Sequence, residues 1–174
     1  SLFASFGFLS KYLFVYLLIS VALLFVYLIF VKKIKNFDFK YVIIIEIFLI
    51  FLVPHLIWLY QNEFITVKYG LQRTGLEDSS IIDHIKFPLI FLFKQLGILV
   101  PFLFLVWLLV KKFRIRFNFK DKKFIFLIFI SILPLALMFL TSFIMGSKIR
   151  TMWMTPFYLF FGTFFIYVLK SQIN

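Results

Sequence analysis

The chain contains no cysteine, which removes disulfide frameworks, thiolate nucleophiles and Cys-based metal sites together and leaves the redox compartment unreadable from this residue type. Histidine occurs only at His55 and His84, too few for a zinc-ligand spacing. The six glycines form no phosphate-cradling loop, and no Ser-His-Asp arrangement is supported by spacing. No internal repeat is evident, which argues against a transporter built from inverted repeats. Acid is scarce too: 7 Asp and Glu stand against 19 Lys and Arg, a formal charge of +12.

What the chain has in excess is apolar side chain, 64% of 174 residues, with 29 Phe. An ordinary soluble domain has less, broken into amphipathic pieces. Five stretches approach the roughly 20 apolar residues that cross about 30 Å of hydrocarbon: 12–31, 41–60, 87–110, 124–144 and 154–169. Only helix satisfies the backbone of such runs in lipid. The expected fold is therefore an all-α integral membrane protein, residues 1–174 forming part of one multi-span domain with outer loops at 61–86 and 145–153. The last run is short and takes Trp153 as an interfacial anchor. The start lacks Met, shows no signal peptide, and reads at Leu2 to Leu9 as the end of an apolar element, so we expect the chain to be a piece of something longer.

The charge is placed where membrane proteins put it. Lys32, Lys33, Lys35 and Lys40 lie between the first two apolar runs. Lys111, Lys112, Arg114, Arg116, Lys120, Lys122 and Lys123 lie between the third and fourth, so the two connections hold 11 of the 19 cations. Such clusters set orientation and meet anionic headgroups, and they do not point to nucleic acid as a partner. The alternating Lys, Arg and Phe of 113–120 reads as a short amphipathic strip at headgroup level. The positive-inside rule then places 32–40, 111–123 and Lys170 in the cytoplasm with the C-terminus, and puts the N-terminus and the loops 61–86 and 145–153 outside. Those outer loops carry Glu63, Glu77, Asp78 and Asp83, four of the seven acids.

Polar residues within or beside the apolar runs have alternative readings. Glu46 reaches water or a basic loop residue near the cytoplasmic end of its helix, and Lys94 is either deep in its span or close to the outer headgroups. His55 is either a packed, hydrogen-bonded residue or one that shares a helix face with Leu59 and Asn62 and points with Asn62 into an outward cavity. Pro54 beside it removes a backbone donor and can bend the helix. Lys148 and Arg150 sit in an outer loop against the positive-inside bias. They bind either ordinary headgroups or, with Lys68 and Arg73, one specific lipid phosphate.

Four stretches, taken in order, bring these residues together. Gly7-Phe8-Leu9-Ser10-Lys11-Tyr12 resembles a Gly-x-Leu-Ser/Thr-Lys turn. Pro54-His55-Leu56-Ile57-Trp58-Leu59-Tyr60-Gln61-Asn62-Glu63-Phe64, followed by Tyr69 and Arg73, is similar to a Pro-His-Leu-x-Trp-Leu-x-x-Asn-Asp/Glu-Phe segment. Gln95-Leu96-Gly97 through Pro101 resembles a Gln-Leu-Gly-x-x-x-Pro helix, and Lys148 through Pro156 resembles a basic loop before Trp-x-x-Pro. Read in this order, the four stretches resemble the polyprenyl-phosphate-dependent membrane glycosyltransferases of the dolichyl-phosphate-mannose protein mannosyltransferase and aminoarabinose transferase type, which have the GT-C fold. Met152 departs from the pattern, since many relatives have Asn before the Trp.

The resemblance implies transfer of a hexosyl or pentosyl group from a polyprenyl-phosphate carrier to a lipid-linked or cell-envelope glycan acceptor. The site would face the periplasm or exterior of a bacterial cytoplasmic membrane. It implies Lys148 and Arg150 on phosphate and His55, Asn62, Glu63 and Arg73 around the sugar or acceptor. Trp58 and Tyr69 would stack on a sugar ring, with Lys68 and Trp153 also lining the site. The family's catalytic carboxylate is expected upstream of these residues, and Glu63 is the candidate within them. No cofactor is implied beyond the sugar donor, and a divalent metal is left open. The competing expectation is a non-enzymatic polytopic membrane protein such as a transporter or lipid flippase subunit.

Overall fold

A backbone surrounded by hydrocarbon has no water to bond, so long apolar runs fold as helices that close their own N–H···O=C ladders. The computed structural model describes residues 2–31, 40–75, 80–110 and 118–169. Among them five helical stretches are long and apolar enough to cross a membrane: Tyr12–Phe30, Ile43–Gln61, Asp83–Leu109, Lys122–Met145 and Thr151–Leu169. The chain is an all-α polytopic membrane protein. The basic residues 32–35 and 111–116, most of the 113–120 strip, Glu77, Asp78 and Lys170 lie outside the described residues.

The chain packs as two units, Ser1–Arg73 and Thr74–Asn174. In the first, α1 (Leu2–Ser10) ends where Lys11 turns extended, and a 3-10 turn, Tyr12–Phe14, leads into α2 (Val15–Phe30). Gly7 permits this sharp return, because a Cβ there would lie 2.9 Å from the Phe14 ring. α1 packs on α3 (Lys40–Gln61). The wholly buried Ser5 donates to the Phe48 carbonyl at 3.3 Å, and Phe6 meets Phe51 and Phe8 meets Phe48 at ring distances of 6.0 and 6.5 Å. Small and aromatic side chains, not a hydrophobic driving force, hold helices together in lipid.

Residues 61–86, expected as a loop, contain a helix of their own, α4 (Ile65–Gln72). Its mixture of Ile, Thr, Val, Lys and Tyr is too polar to register as a span, and at 1.5 Å per residue its 8 residues cover only about 12 Å.

The second unit begins with α5 (Asp83–Leu109), four residues earlier than the apolar run at Phe87. The added turn is braced from a polar stretch: the backbone N–H and the hydroxyl of Ser80 each donate to Asp83 Oδ2 at 2.9 Å, and the Asp83 N–H donates to the Ser80 carbonyl at 2.9 Å. A first-turn carboxylate that takes two donors from the preceding residues steadies a helix start whose N-cap, Ile82, has no capping side chain. The run at 124–144 forms two helices, α6 (Lys122–Ser131) and α7 (Leu133–Met145). Pro134 has no N–H to continue the ladder, so the break falls at Ile132. This α6–α7 span is the most buried of its unit, with 39% of its most apolar 18-residue stretch buried against 17% and 22% in the other two spans.

The final span is a 3-10 helix, Thr151–Phe160, running into α8 (Phe161–Leu169). The 3-10 form rises about 2.0 Å per residue, so the 10 and 9 residues reach roughly 33 Å where an all-α segment would reach roughly 28 Å. Extension of the backbone thus brings a short apolar stretch to bilayer thickness. Trp153, the expected anchor, lies half-buried inside the 3-10 part. A cavity lined only by apolar side chains, Phe102, Val106, Phe165 and Leu169 among them, separates the second half of α5 from α8.

Asp121 ties the far ends of this unit. Its Oδ1 accepts from the Lys123 N–H at 2.9 Å as the N-cap of α6, and its Oδ2 accepts from the Tyr167 hydroxyl of α8. Replacing Asp121 by Ala is expected to lower unfolding stability in detergent by about 1 kcal/mol or more, the usual cost of an N-cap. Asp121→Asn, which still caps, should cost less. Thermal melts of the two variants beside the unaltered chain check the order.

Candidate functional site

The sequence-derived site residues divide between the units. His55, Trp58, Asn62, Glu63, Lys68, Tyr69 and Arg73 belong to the first, and Lys148, Arg150 and Trp153 to the second.

In the first unit the geometry follows from how α3 ends. The Glu63 N–H donates to the Tyr60 carbonyl at 3.3 Å, and the Phe64 N–H donates to the Leu59 carbonyl at 2.9 Å. These two bonds are the Schellman pair that finishes a helix through a left-handed residue, a place normally given to glycine. Here Glu63 occupies it at φ 50°, and Phe64 follows at φ 56°. Two consecutive L-residues in this region carry strain. Asn62 assists: its Nδ2 donates to the Trp58 carbonyl at 2.8 Å, the same oxygen that its own N–H reaches at 3.0 Å.

Asn62 therefore turns back on its helix instead of meeting His55. His55 Nε2 shares a 2.8 Å hydrogen bond with the Tyr12 hydroxyl, which shares another, at 2.9 Å, with Thr66 Oγ1. The imidazole also stacks on Trp58, centroids 5.9 Å apart at 15°. Tyr12 thus links the 3-10 turn, α3 and α4 through one hydroxyl. The packed, hydrogen-bonded reading of His55 describes its surroundings here. The open depression beyond α3 is lined by Gln61, Asn62, Glu63, Ile65 and Lys68, so Asn62, Glu63 and Lys68 come together and His55 is not among them.

The cations of α4 have partners. Lys68 Nζ lies 3.7 Å from Glu63 Oε2, both side chains well exposed, where an ion pair contributes little. The Arg73 guanidinium sits 5.1 Å from the centroid of the Tyr69 ring, a cation–π contact one helical turn apart.

In the second unit α7 ends at Gly146, left-handed at φ 60°. The turn after it is held at several points. Ser142 Oγ donates to the Ser147 carbonyl at 2.7 Å, the Lys148 N–H donates to the Thr74 carbonyl at 2.9 Å, and the Trp153 N–H donates to the Arg150 carbonyl at 3.0 Å. Lys148 is exposed, whereas Arg150 and Trp153 are half-buried. The carbonyl of Phe143, near the end of α7, accepts a 2.9 Å hydrogen bond from His84 Nδ1.

Sequence reasoning gave no part to Tyr12, Thr66 or His84. Tyr12 meets His55 across 43 residues and Thr66 across 54, and no local pattern signals that. His84 did carry a signal, since the Ser80-to-Asp83 spacing is that of a capping box and places His84 on the first turn of α5. Among the described residues no three His, Cys, Asp or Glu gather as metal ligands. Compared with protein-family models, curated proteins and solved structures, the chain matches none.

If strain at Glu63 serves only to end α3, Glu63→Gly should stabilise the protein by about 1 kcal/mol, the order of cost of a left-handed L-residue. The lost Lys68 pair subtracts little. Chemical denaturation in detergent reads this directly. A loss of stability on the same substitution would mean that the Glu63 side chain holds the turn.

Proposed function

We propose that the chain acts as part of a GT-C-type membrane glycosyltransferase. On this reading it moves a sugar from a polyprenyl-phosphate carrier to a lipid-linked or cell-envelope glycan acceptor at the outer membrane face. The observation that carries the reading is the turn 146–150. It is fixed by backbone and side-chain hydrogen bonds, and it presents Lys148 and Arg150 immediately before an aromatic-rich 3-10 segment. A pre-ordered pair of cations at the edge of apolar helices suits an amphiphile with a phosphate head and an isoprenoid tail. Arg supplies a planar fork and Lys a compact charge.

The partners seen in the first unit sharpen the division of labour. Lys68 pairs with Glu63 and Arg73 stacks on Tyr69, so the phosphate role goes to Lys148 and Arg150. The depression at Asn62, Glu63 and Lys68 offers amide, carboxylate and ammonium groups of the kind that bind sugar hydroxyls. His55 contributes through Trp58, whose indole it holds by stacking. Glu63 is the candidate base within these residues, and the family resemblance expects the main catalytic carboxylate from outside them.

A second reading, a transporter or lipid flippase subunit, draws on one observation. Gln95, 2% exposed and halfway along α5, accepts from the Tyr158 hydroxyl while its Nε2 has no partner. An amide nitrogen unpaired among the described residues at that depth is costly, and a polar path is one reason to retain it. Lys94, beside Gln95 and twelve residues into the 27-residue α5, belongs with this reading; the charged candidates of the sugar and phosphate site lie at helix ends instead, which favours the transferase.

Arg150→Ala should weaken binding of a polyprenyl phosphate by about tenfold or more, the loss of one charge-assisted contact, with little change in melting temperature. Equilibrium binding in lipid nanodiscs checks this. Unchanged carrier affinity and unchanged turnover in the Arg150→Ala protein would exclude the phosphate role.

A further inference from the structure

The turn 146–150 needs something to set its shape, and the residue in contact with it from another element is His84. His84 sits on the first turn of α5, and its Nδ1 bonds the Phe143 carbonyl at 2.9 Å. Near a helix end that carbonyl loses its ordinary i+4 N–H. A carbonyl accepts only, so Nδ1 must carry the proton whether the ring is neutral or charged. The opposite edge of the imidazole lies on Gly146: a Cβ built there would stand 3.0 Å from both Cδ2 and Nε2. Gly146 is also at φ 60°, so chain direction and ring packing both require glycine at this point.

We propose that His84 is a positioning residue. Its Nδ1–H bond to Phe143 and its packing on Gly146 fix the conformation of the turn from which Lys148 and Arg150 project. The phosphate side of this statement rests on the transferase reading, and the setting of the turn does not. The bond closes the end of α7, and Ser142 fastens the next carbonyl of interest, that of Ser147, at 2.7 Å. The Lys148 N–H is then held by Thr74 at 2.9 Å. His84 therefore acts by geometry: it orders the backbone two residues before the first cation and need not touch the ligand.

Two amide substitutions separate the ring nitrogens, because an Asn amide nitrogen takes the place of Nδ1 and a Gln amide nitrogen that of Nε2. In nanodiscs, amide hydrogen exchange at 146–150 should be slow in the unaltered chain, close to that in His84→Asn, and faster in His84→Gln. Affinity for a short-chain polyprenyl phosphate should fall about five- to tenfold in His84→Gln, the loss of one hydrogen bond, and be largely recovered in His84→Asn. Nitrogen-15 spectra of the unaltered chain, which has only two histidines, should show His84 protonated at Nδ1 in its neutral form, a readout that no folding defect of a variant can obscure.

An Nε2–H tautomer overturns the proposal. So does exchange in His84→Gln equal to that of the unaltered chain, or failure of His84→Asn to recover it. If the unaltered chain binds no polyprenyl phosphate, the transferase reading falls alone, and the exchange series and the tautomer still decide the role of His84. If it binds and His84→Gln binds equally well, the transferase reading stands and the positioning role falls.

Discussion

Every backbone polar group in a bilayer must find its partner within the protein, and the structure depends on this above all. In helix interiors the ladder does the work. At ends and breaks, where water would serve a soluble protein, side chains substitute. Asn62 closes α3 onto the Trp58 carbonyl, Asp121 opens α6, Asp83 takes the N–H of Ser80 before α5, and His84 takes a carbonyl at the end of α7. Several of the polar residues of this apolar chain serve in this way.

The same constraint bears on function. Groups that finish helices collect where helices finish, so hydrogen-bonding and charged side chains gather at the end of α3 in one unit and at the end of α7 in the other. Each of these ends is ordered in advance by the needs of folding: Asn62 and the Schellman bonds fix the first, and Ser142 and His84 fix the second. Exceptions lie within the spans: Gln95, bonded by Tyr158, with the exposed Lys94 beside it in α5, and the exposed Glu46 in α3. Polar groups at such positions are costly in lipid.

The spans were legible because continuous apolarity has one structural solution in lipid. Their ends were less so. α5 begins at Asp83, whose carboxylate takes two hydrogen bonds from Ser80, in polar sequence that hydropathy ignores, and α4 is missed for the same reason. The break at Ile132 follows from Pro134, a cue present in the sequence but outweighed by the unbroken apolar run. Nothing local announces the long 3-10 stretch at Thr151–Phe160, which answers a length requirement of the whole span. At the site, residue types were legible and partnerships were not. Asn62 and His55 share a helix face by periodicity, yet their hydrogen bonds go to Trp58 and Tyr12. Glu63 occupies a glycine-type turn with no glycine to mark it.

Sidedness tests the account most directly, since the proposed site requires the end of α3 and the turn after α7 to face the same compartment. The chain lacks cysteine, so Asn62→Cys, Lys148→Cys and Lys120→Cys can each be labelled without background. A membrane-impermeant maleimide added outside intact cells should modify the first two and spare the third. Modification of Asn62→Cys and Lys148→Cys from opposite sides of the membrane would contradict the account.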